Sequence, residues 1–515
     1  MWESRSSSFS DKKIFLLAFL IINLFLSSFY IDIWCTPNPL SRALPVLTLL
    51  EDGTLKIDKY KNMATDRSKV GEHYYSDKAP LPTLAAVPFY WLMQKAGLTK
   101  TNELTGRKYP VYIWSPLRDD DGRNSMVPEF IPLLFLGSFL FGSVPFAIMI
   151  FLALKKIQGA AGSLPAVVLV MMSFYGSFMF VFAGTYFGHI ISAFLLLLGY
   201  ISIKDEKYFW SGLCVGLAFL SEYTVAVAMP LWALVIWLKE RNVKKLLLYG
   251  LGALPGVVFI MVYNYFINGQ PFQMLYGYHD AEVFRKQMSS NYGFNLPGLS
   301  GLWGLSFSFY MGLLPHVPVL LFCGYFLVKE ILNKYSFRKL FHNYLAMFSI
   351  PFFLLVSSFF TWWGGWSYGP RYLICLAAIL AYEGIIYLSG KNVNVFLFVG
   401  ITGVGLISTW LAKVTIMYMV PDATTILDGP LPGGDSFVNF ILPHFISGHF
   451  NANNIFTLGL DVSPEAAAYL WLVFFIAATA GFSAWYSELY PLQEVKVKAN
   501  LKGRSKKRKK LLVPK

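Results

Sequence analysis

Long apolar runs recur along this chain, and Lys and Arg gather at alternate ends of them. An apolar stretch of about 18–20 residues can cross the hydrocarbon core of a bilayer as a helix. The first run, Ile14 to Ile31, follows Arg5, Lys12 and Lys13, and no small-residue cleavage site comes after it. It reads as a retained first span with a cytoplasmic N-terminus. Further runs lie near 129–154, 161–184, 187–203, 209–238, 246–266, 301–328, 343–361, 372–389, 394–418 and 466–486. The 209–238 run is too long for one span and too short for two full ones, so two half-helices with Glu222 near the bend fit it. Counted as a hairpin, it brings the total to about twelve membrane segments. Residues 80–97 are apolar but short and interrupted by Pro, which suits an interfacial or re-entrant helix rather than a span.

The flanking charges orient these segments. Lys155/Lys156, Lys204/Lys207, Lys239/Arg241/Lys244/Lys245, Lys329/Lys334/Arg338/Lys339 and Lys391 all fall on the side of the N-terminus, as does the Lys/Arg tail. This is the positive-inside pattern. The opposite side then receives 32–128, 267–300, 362–371 and 419–465. The formal charge of +14 comes largely from the tail: residues 496–515 hold ten Lys/Arg and no acid. Without the chain from Glu494 onward, 33 basic residues face 28 acidic ones, so the body is nearly neutral. No aromatic residues interleave with the tail's charges, so it reads as an orientation and anionic-lipid signal, with no nucleic-acid partner.

Only 14% of residues are charged and 56% are hydrophobic, against about 25% charged in soluble domains. That excludes a soluble enzyme and a disordered regulator. Cys214, Cys323 and Cys375 lie in apolar runs and only Cys35 in a loop, so no disulfide framework is expected. The chain has no N-x-S/T sequon, which favours a bacterial protein over one processed in the endoplasmic reticulum.

Candidate chemistry concentrates in the first long loop. Residues 32–128 carry 11 of the 29 acids. The densest cluster includes Asp58, Asp66, Glu72, His73, Tyr75, Asp77 and Lys78, and Asp77–Lys78 stand just before a helix opened by Pro80 and Pro82. A Lys there can hold a lipid phosphate and an Asp can take a proton from a hydroxyl, while the bland alternative is a solvated ion pair. A second feature runs from Thr361 to Tyr372, with Trp362, Trp363, Trp366, Tyr368 and Arg371. It fits an aromatic belt or a surface for sugar or prenyl chains. Arg371 is either a guanidinium for phosphate or a snorkelling side chain. Glu222, in an apolar run, needs a partner, water or a proton. His189 stands at a helix junction. His279, His444 and His449 lack metal-ligand spacing, and Asp119–Asp121 reads as a solvated charge run, so no metal is assigned, although a divalent cation stays open. No Walker loop or nucleotide-binding strand–turn–helix is present.

With these residues in view, the chain resembles the GT-C superfamily of polytopic glycosyltransferases, and most closely the bacterial proteins related to protein O-mannosyltransferases and aminoarabinose–lipid A transferases. The resemblance covers most of residues 10–390. It rests on layout and on Ser41–Leu44, Tyr74–Pro80, Phe187–His189, Ser221–Tyr223, Tyr263–Tyr265 and Trp362–Tyr372. It implies an all-α bundle with a long first outer loop carrying interfacial helices. It also implies a polyprenyl-phosphate sugar donor, a glycan, lipid or protein acceptor, inversion at the anomeric carbon, and a carboxylate base early in the first loop. By motif, Lys78 holds the donor phosphate, with Arg371 and Arg42 as further candidates. Tyr75, His189, Glu222, Trp363, Trp366 and Tyr368 would line the substrate pocket. The chain departs from the pattern at 36–42, which holds no carboxylate, so Asp77, Asp58, Asp66 and Asp32 compete as base. Residues 1–390 are then the catalytic module, 391–490 the C-terminal membrane segments and 491–515 a cytoplasmic tail, in a bacterial inner membrane with both termini inside. No cofactor is implied. The alternatives are a transporter or flippase, disfavoured by the absence of an obvious internal repeat, and a non-catalytic scaffold.

Overall fold

The computed structural model describes residues 9–99, 130–160, 162–325, 341–365, 367–418 and 437–491. Trp366, the Asp119–Asp121 run and the basic tail lie outside the described residues. Among the described residues helices dominate, with one two-stranded sheet. Six of the described helices are long and apolar enough to cross a membrane: Ile131–Lys156, Tyr223–Glu240, Val243–Asn268, Arg371–Leu388, Val395–Val414 and Pro464–Leu489. The protein is thus a helical, membrane-spanning one.

Shorter apolar helices, Ala166–Tyr175, Gly188–Lys204, Tyr208–Phe219, Tyr344–Ser357 and Phe437–Ile446, accompany these six. Several of the expected apolar runs are broken into pieces. The 161–184 run stops as a helix at Tyr175 and resumes as Met179–Phe182. The 301–328 run is interrupted between Phe307 and Leu313. The 209–238 run breaks where it was expected to: Tyr208–Phe219 ends, Glu222 is extended with φ −149° and ψ 116°, and a 3-10 turn then starts the next helix.

The site depends on the following elements. Helix α1 (Phe9–Ser28) leads into an extended turn and then α2 (Pro37–Asp52). Strands β1 (Arg67–Val70) and β2 (His73–Ser76) form an antiparallel hairpin pairing Val70 with His73 across a two-residue turn, where Gly71 takes φ +59°. Helix α3 (Leu81–Lys95) follows, and then α4 (Ile131–Lys156), α5 (Gly188–Lys204), α6 (Tyr208–Phe219), α7 (Tyr223–Glu240) and α8 (Val243–Asn268). A short helix α9 (Glu282–Asn291) precedes α10 (Arg371–Leu388), α11 (Val395–Val414) and α12 (Pro464–Leu489).

Polar clasps join these helices where the hydrophobic effect gives little drive between them. Ser27 on α1 and Ser143 on α4 donate to each other's carbonyls at 3.2 and 3.1 Å. The indoles of Trp471 and Trp410 donate to Leu26 O at 2.9 Å and Ala468 O at 3.1 Å. The turn after α1 is held by Asp32, whose amide donates to Gly184 O at 2.8 Å. Its carboxylate accepts from Trp34 N at 3.0 Å and from the Tyr418 hydroxyl at 2.9 Å. That fixes where α2 starts, and α2 carries Arg42.

Helices α6 and α8 pack backbone against backbone. Gly212 and Gly216 lie four apart on α6, Gly252 and Gly256 four apart on α8. This is the small-xxx-small spacing that lets two helices touch. A Cβ on Gly256 would stand 2.5 Å from Gly216 O, and one on Gly252 would strike Phe209 O. Gly250, half a turn away, faces open space. We expect Gly252→Ala to lower stability in detergent by about 1–3 kcal/mol, the usual range for overpacking. Gly250→Ala should be neutral or slightly stabilising, since it removes a glycine from a helix. Thermal melting of both variants checks this; equal melting would refute the backbone contact.

Candidate functional site

A cavity of about 470 Å³ opens where the hairpin, the start of α3, the α6–α7 break and the 361–372 segment meet. Its lining combines an ionic set, Arg42, Asp66, Asp77, Lys78, His189, Glu222 and Arg371, with an apolar and aromatic set that includes Phe219, Tyr276, Phe284, Met288 and Phe359. Residues far apart in sequence are brought here by three local ties. Thr83 at the start of α3 donates to Arg42 O at 2.9 Å. Leu81 N donates to Leu220 O at 2.9 Å, which sets the Asp77–Lys78 turn beside the α6–α7 break. Ser41 on α2 donates to Asp77 Oδ1 at 3.1 Å and shares a hydrogen bond with Ser76 at 2.9 Å.

The cations differ in what they already hold. Lys78 Nζ sits 2.8 Å from Asp66 Oδ2 and 3.0 Å from Asp77 Oδ2. Two carboxylates hold it above its ordinary pKa in spite of burial. An ammonium so engaged frames the site, and a phosphate bound at Lys78 would share it with these two carboxylates. Arg42 is also committed: its side chain is 2% exposed, Nη2 stands 3.4 Å from Glu222 Oε1, and Nη1 donates to Asn38 O at 3.4 Å and to Asn38 Oδ1. Arg371 is different. No carboxylate of the described residues lies within ion-pair distance of it; its Nε, like that of Arg42, is buried without a hydrogen-bond partner. Its guanidinium lies 5.6 Å over the Phe187 ring and 5.2 Å over Tyr372. Gly364, at φ +77°, leaves it room: a Cβ there would come 3.2 Å from Arg371 Cγ and Nε.

The carboxylates sort in the same way. Asp77 is buried, with Oδ1 accepting from Ser41 and Oδ2 from Lys78. His279 Nε2 stands 3.9 Å from Asp77 Oδ2, while its Nδ1 accepts from Ala281 N at 3.1 Å. Asp58 does not line the cavity; it is half-exposed, and its carboxylate accepts from Tyr74 N at 2.7 Å and meets His73 Nδ1 at 2.7 Å. Burial raises its pKa, but those hydrogen bonds win and hold it below the usual range. Asp32 does not line the cavity either: it is buried beside Tyr418, and burial pushes its pKa up to about 7. Tyr75 and Trp363 are buried but do not line the cavity, and Tyr368 faces a separate apolar one of about 1070 Å³ beside His316.

Sequence reasoning missed His279, Tyr276 and Asn38. His279 was weighed only for metal spacing; its pairing with Asp77 across two loops has no local signature. Those two loops are clamped by Arg67, whose Nε and Nη2 both reach Asp280 Oδ2, at 2.9 and 2.7 Å. Among the described residues no group of three His, Cys, Asp or Glu side chains has metal-binding geometry. Searches of family models and of curated proteins returned no match to this chain.

Burial works against the charge on Asp66, but the Lys78 ammonium outweighs it and holds this carboxyl below its usual value. Asp66 thus supports the fold in full above the ordinary carboxylate pKa of about 3.9. That support is lost as pH falls through its lowered folded value. Melting in detergent should therefore show a smaller acid-side loss in Asp66→Asn than in the unaltered protein. Parallel acid limbs would exclude the pair as a source. Lys78→Ala should cost about 3–5 kcal/mol, as when one partner of a buried ion pair is removed, because Asp77 is left buried and unpaired.

Proposed function

We propose that the protein is a membrane glycosyltransferase that moves a sugar from a polyprenyl-phosphate carrier to a hydroxyl of a glycan, lipid or protein acceptor. In this reading the cavity faces the outer side of a bacterial inner membrane and both termini are cytoplasmic. The observation that carries it is the unpaired Arg371 guanidinium, set at the first residue of a membrane-length helix and sharing a cavity with three carboxylates. A guanidinium offers a planar fork to phosphate. The apolar wall suits the hydrocarbon part of such a donor, and the carboxylates supply a proton acceptor.

Transfer from a polyprenyl phosphate asks for little else. The phosphate is already a leaving group. The reaction needs a cation for the charge that grows on it and a base for the acceptor hydroxyl. Attack from the face opposite the phosphate inverts the anomeric carbon.

Arg371→Ala should weaken binding of polyprenyl phosphate by about 10–100-fold, the equivalent of about 1.5–3 kcal/mol for hydrogen bonds to a charged group. Its melting temperature should change little, since no ion pair is broken. Binding to protein in nanodiscs, read by native mass spectrometry, checks this. Unchanged affinity would remove Arg371 from the phosphate role, and failure of the unaltered protein to bind any polyprenyl phosphate would refute the donor class.

A further inference from the structure

Three carboxylates line the cavity, and they are not equivalent. Asp77 has both oxygens engaged, by Ser41 and by Lys78. Asp66 gives one oxygen to the Lys78 ammonium at 2.8 Å, a closer ion pair than the 3.4 Å that separates Glu222 from Arg42. Glu222 is placed otherwise. Only Oε1 is tied, to Arg42 Nη2 at 3.4 Å and to His189 Nδ1 at 3.2 Å. Oε2 has no hydrogen-bond partner among the described residues, and the side chain is 15% exposed while lining the cavity.

We propose that Glu222 is the general base of the transfer reaction. This rests on the glycosyl-transfer reading and gives the missing early carboxylate a replacement from elsewhere in the chain. Residues 36–42 carry no acid, and the Arg42 guanidinium that follows them is paired with Glu222 instead. The break between α6 and α7 is what brings the carboxylate there. Gly188 opens α5 directly against it: a Cβ at Gly188 would stand 2.8 Å from Glu222 Oε1 and 2.9 Å from Arg42 Nη2. His189 follows, so the imidazole and the guanidinium both stand at Oε1 of a side chain that lines the cavity. The same short segment supports the phosphate end. Phe187, two residues before His189, underlies Arg371, and the His189 ring lies 6.0 Å from Tyr372. Base and anion site are therefore built on adjoining parts of one wall.

In the step itself, Glu222 Oε2 takes the proton of the acceptor hydroxyl as that oxygen bonds to the anomeric carbon. The bond from that carbon to the phosphate oxygen breaks, and its electron pair leaves on the phosphate, where Arg371 meets the added charge. The products are the glycoside, the polyprenyl phosphate and a protonated Glu222, which returns its proton to water.

The experiment uses the full chain in nanodiscs with a panel of polyprenyl-phosphate hexoses and a membrane-glycan extract as acceptor. It reads binding of polyprenyl phosphate and its release on turnover. Glu222→Gln should slow release by about 10²-fold or more, the usual contribution of a general base, while phosphate binding persists. The acid limb of its rate–pH profile should vanish as well. Turnover at the unaltered rate in Glu222→Gln, with Asp66→Asn or Asp77→Asn inactive, overturns Glu222 and leaves glycosyl transfer standing. No binding and no release by the unaltered protein overturns both. If Glu222→Gln does not fold, Glu222→Asp keeps the charge opposite Arg42 but shortens the reach. A loss of about 10-fold or more with binding intact then supports the proposal, and full turnover overturns it.

Discussion

Arg42 is among the largest fully buried side chains of the protein. A buried guanidinium has to be met by an anion and by hydrogen bonds, or it is expelled. Glu222 and Asn38 meet it, and neither is near Arg42 by accident of the chain. Asn38 is one helical turn before it on α2, whose start is fixed by the Asp32 turn. Glu222 arrives from the break between two half-helices, tied to the hairpin side through Leu81 and Leu220. The requirement for one counter-charge thus joins the first loop, the α6–α7 break and the opening of α5.

The remaining charges follow the same logic to different ends. Lys78 collects two carboxylates and becomes part of the frame. Arg371 collects none, and its guanidinium rests on aromatic faces instead. A site with three cations and three carboxylates is near neutral, yet the pairing is uneven. That unevenness leaves one side chain able to receive an anion without first giving one up.

Much of this was legible in the sequence, and for physical reasons. Membrane-length apolar runs leave little choice but helices, and a carboxylate inside such a run, as at Glu222, predicts a break or a partner; the structure has both. Arg371 stood out because a cation at the far end of a span opposes the charge pattern. The rest was hidden by distance along the chain. Asp58 resembled a site residue until His73 and the Tyr74 amide took up its carboxylate. Asp32 was equally plausible before Tyr418, 386 residues away, closed over it. The ion pair that already holds Lys78 was hidden too, because Asp66 is twelve residues off and only the hairpin reveals that they meet. The bends within apolar runs were hidden as well, because hydropathy is blind to a kink.

The glycine contact between α6 and α8 has a mechanical consequence. Backbones in direct contact cannot slide past one another as side-chain layers can, so α6 and α8 form one stiff unit. The three residues from Leu220 to Glu222 then carry the chain from that unit into α7, and they are pinned as they do so: Leu220 O accepts from Leu81 N, and Glu222 Oε1 faces Arg42 and His189. The carboxylate's position is therefore set by the stiff α6–α8 pair on one side and by α2, α3 and α5 on the other.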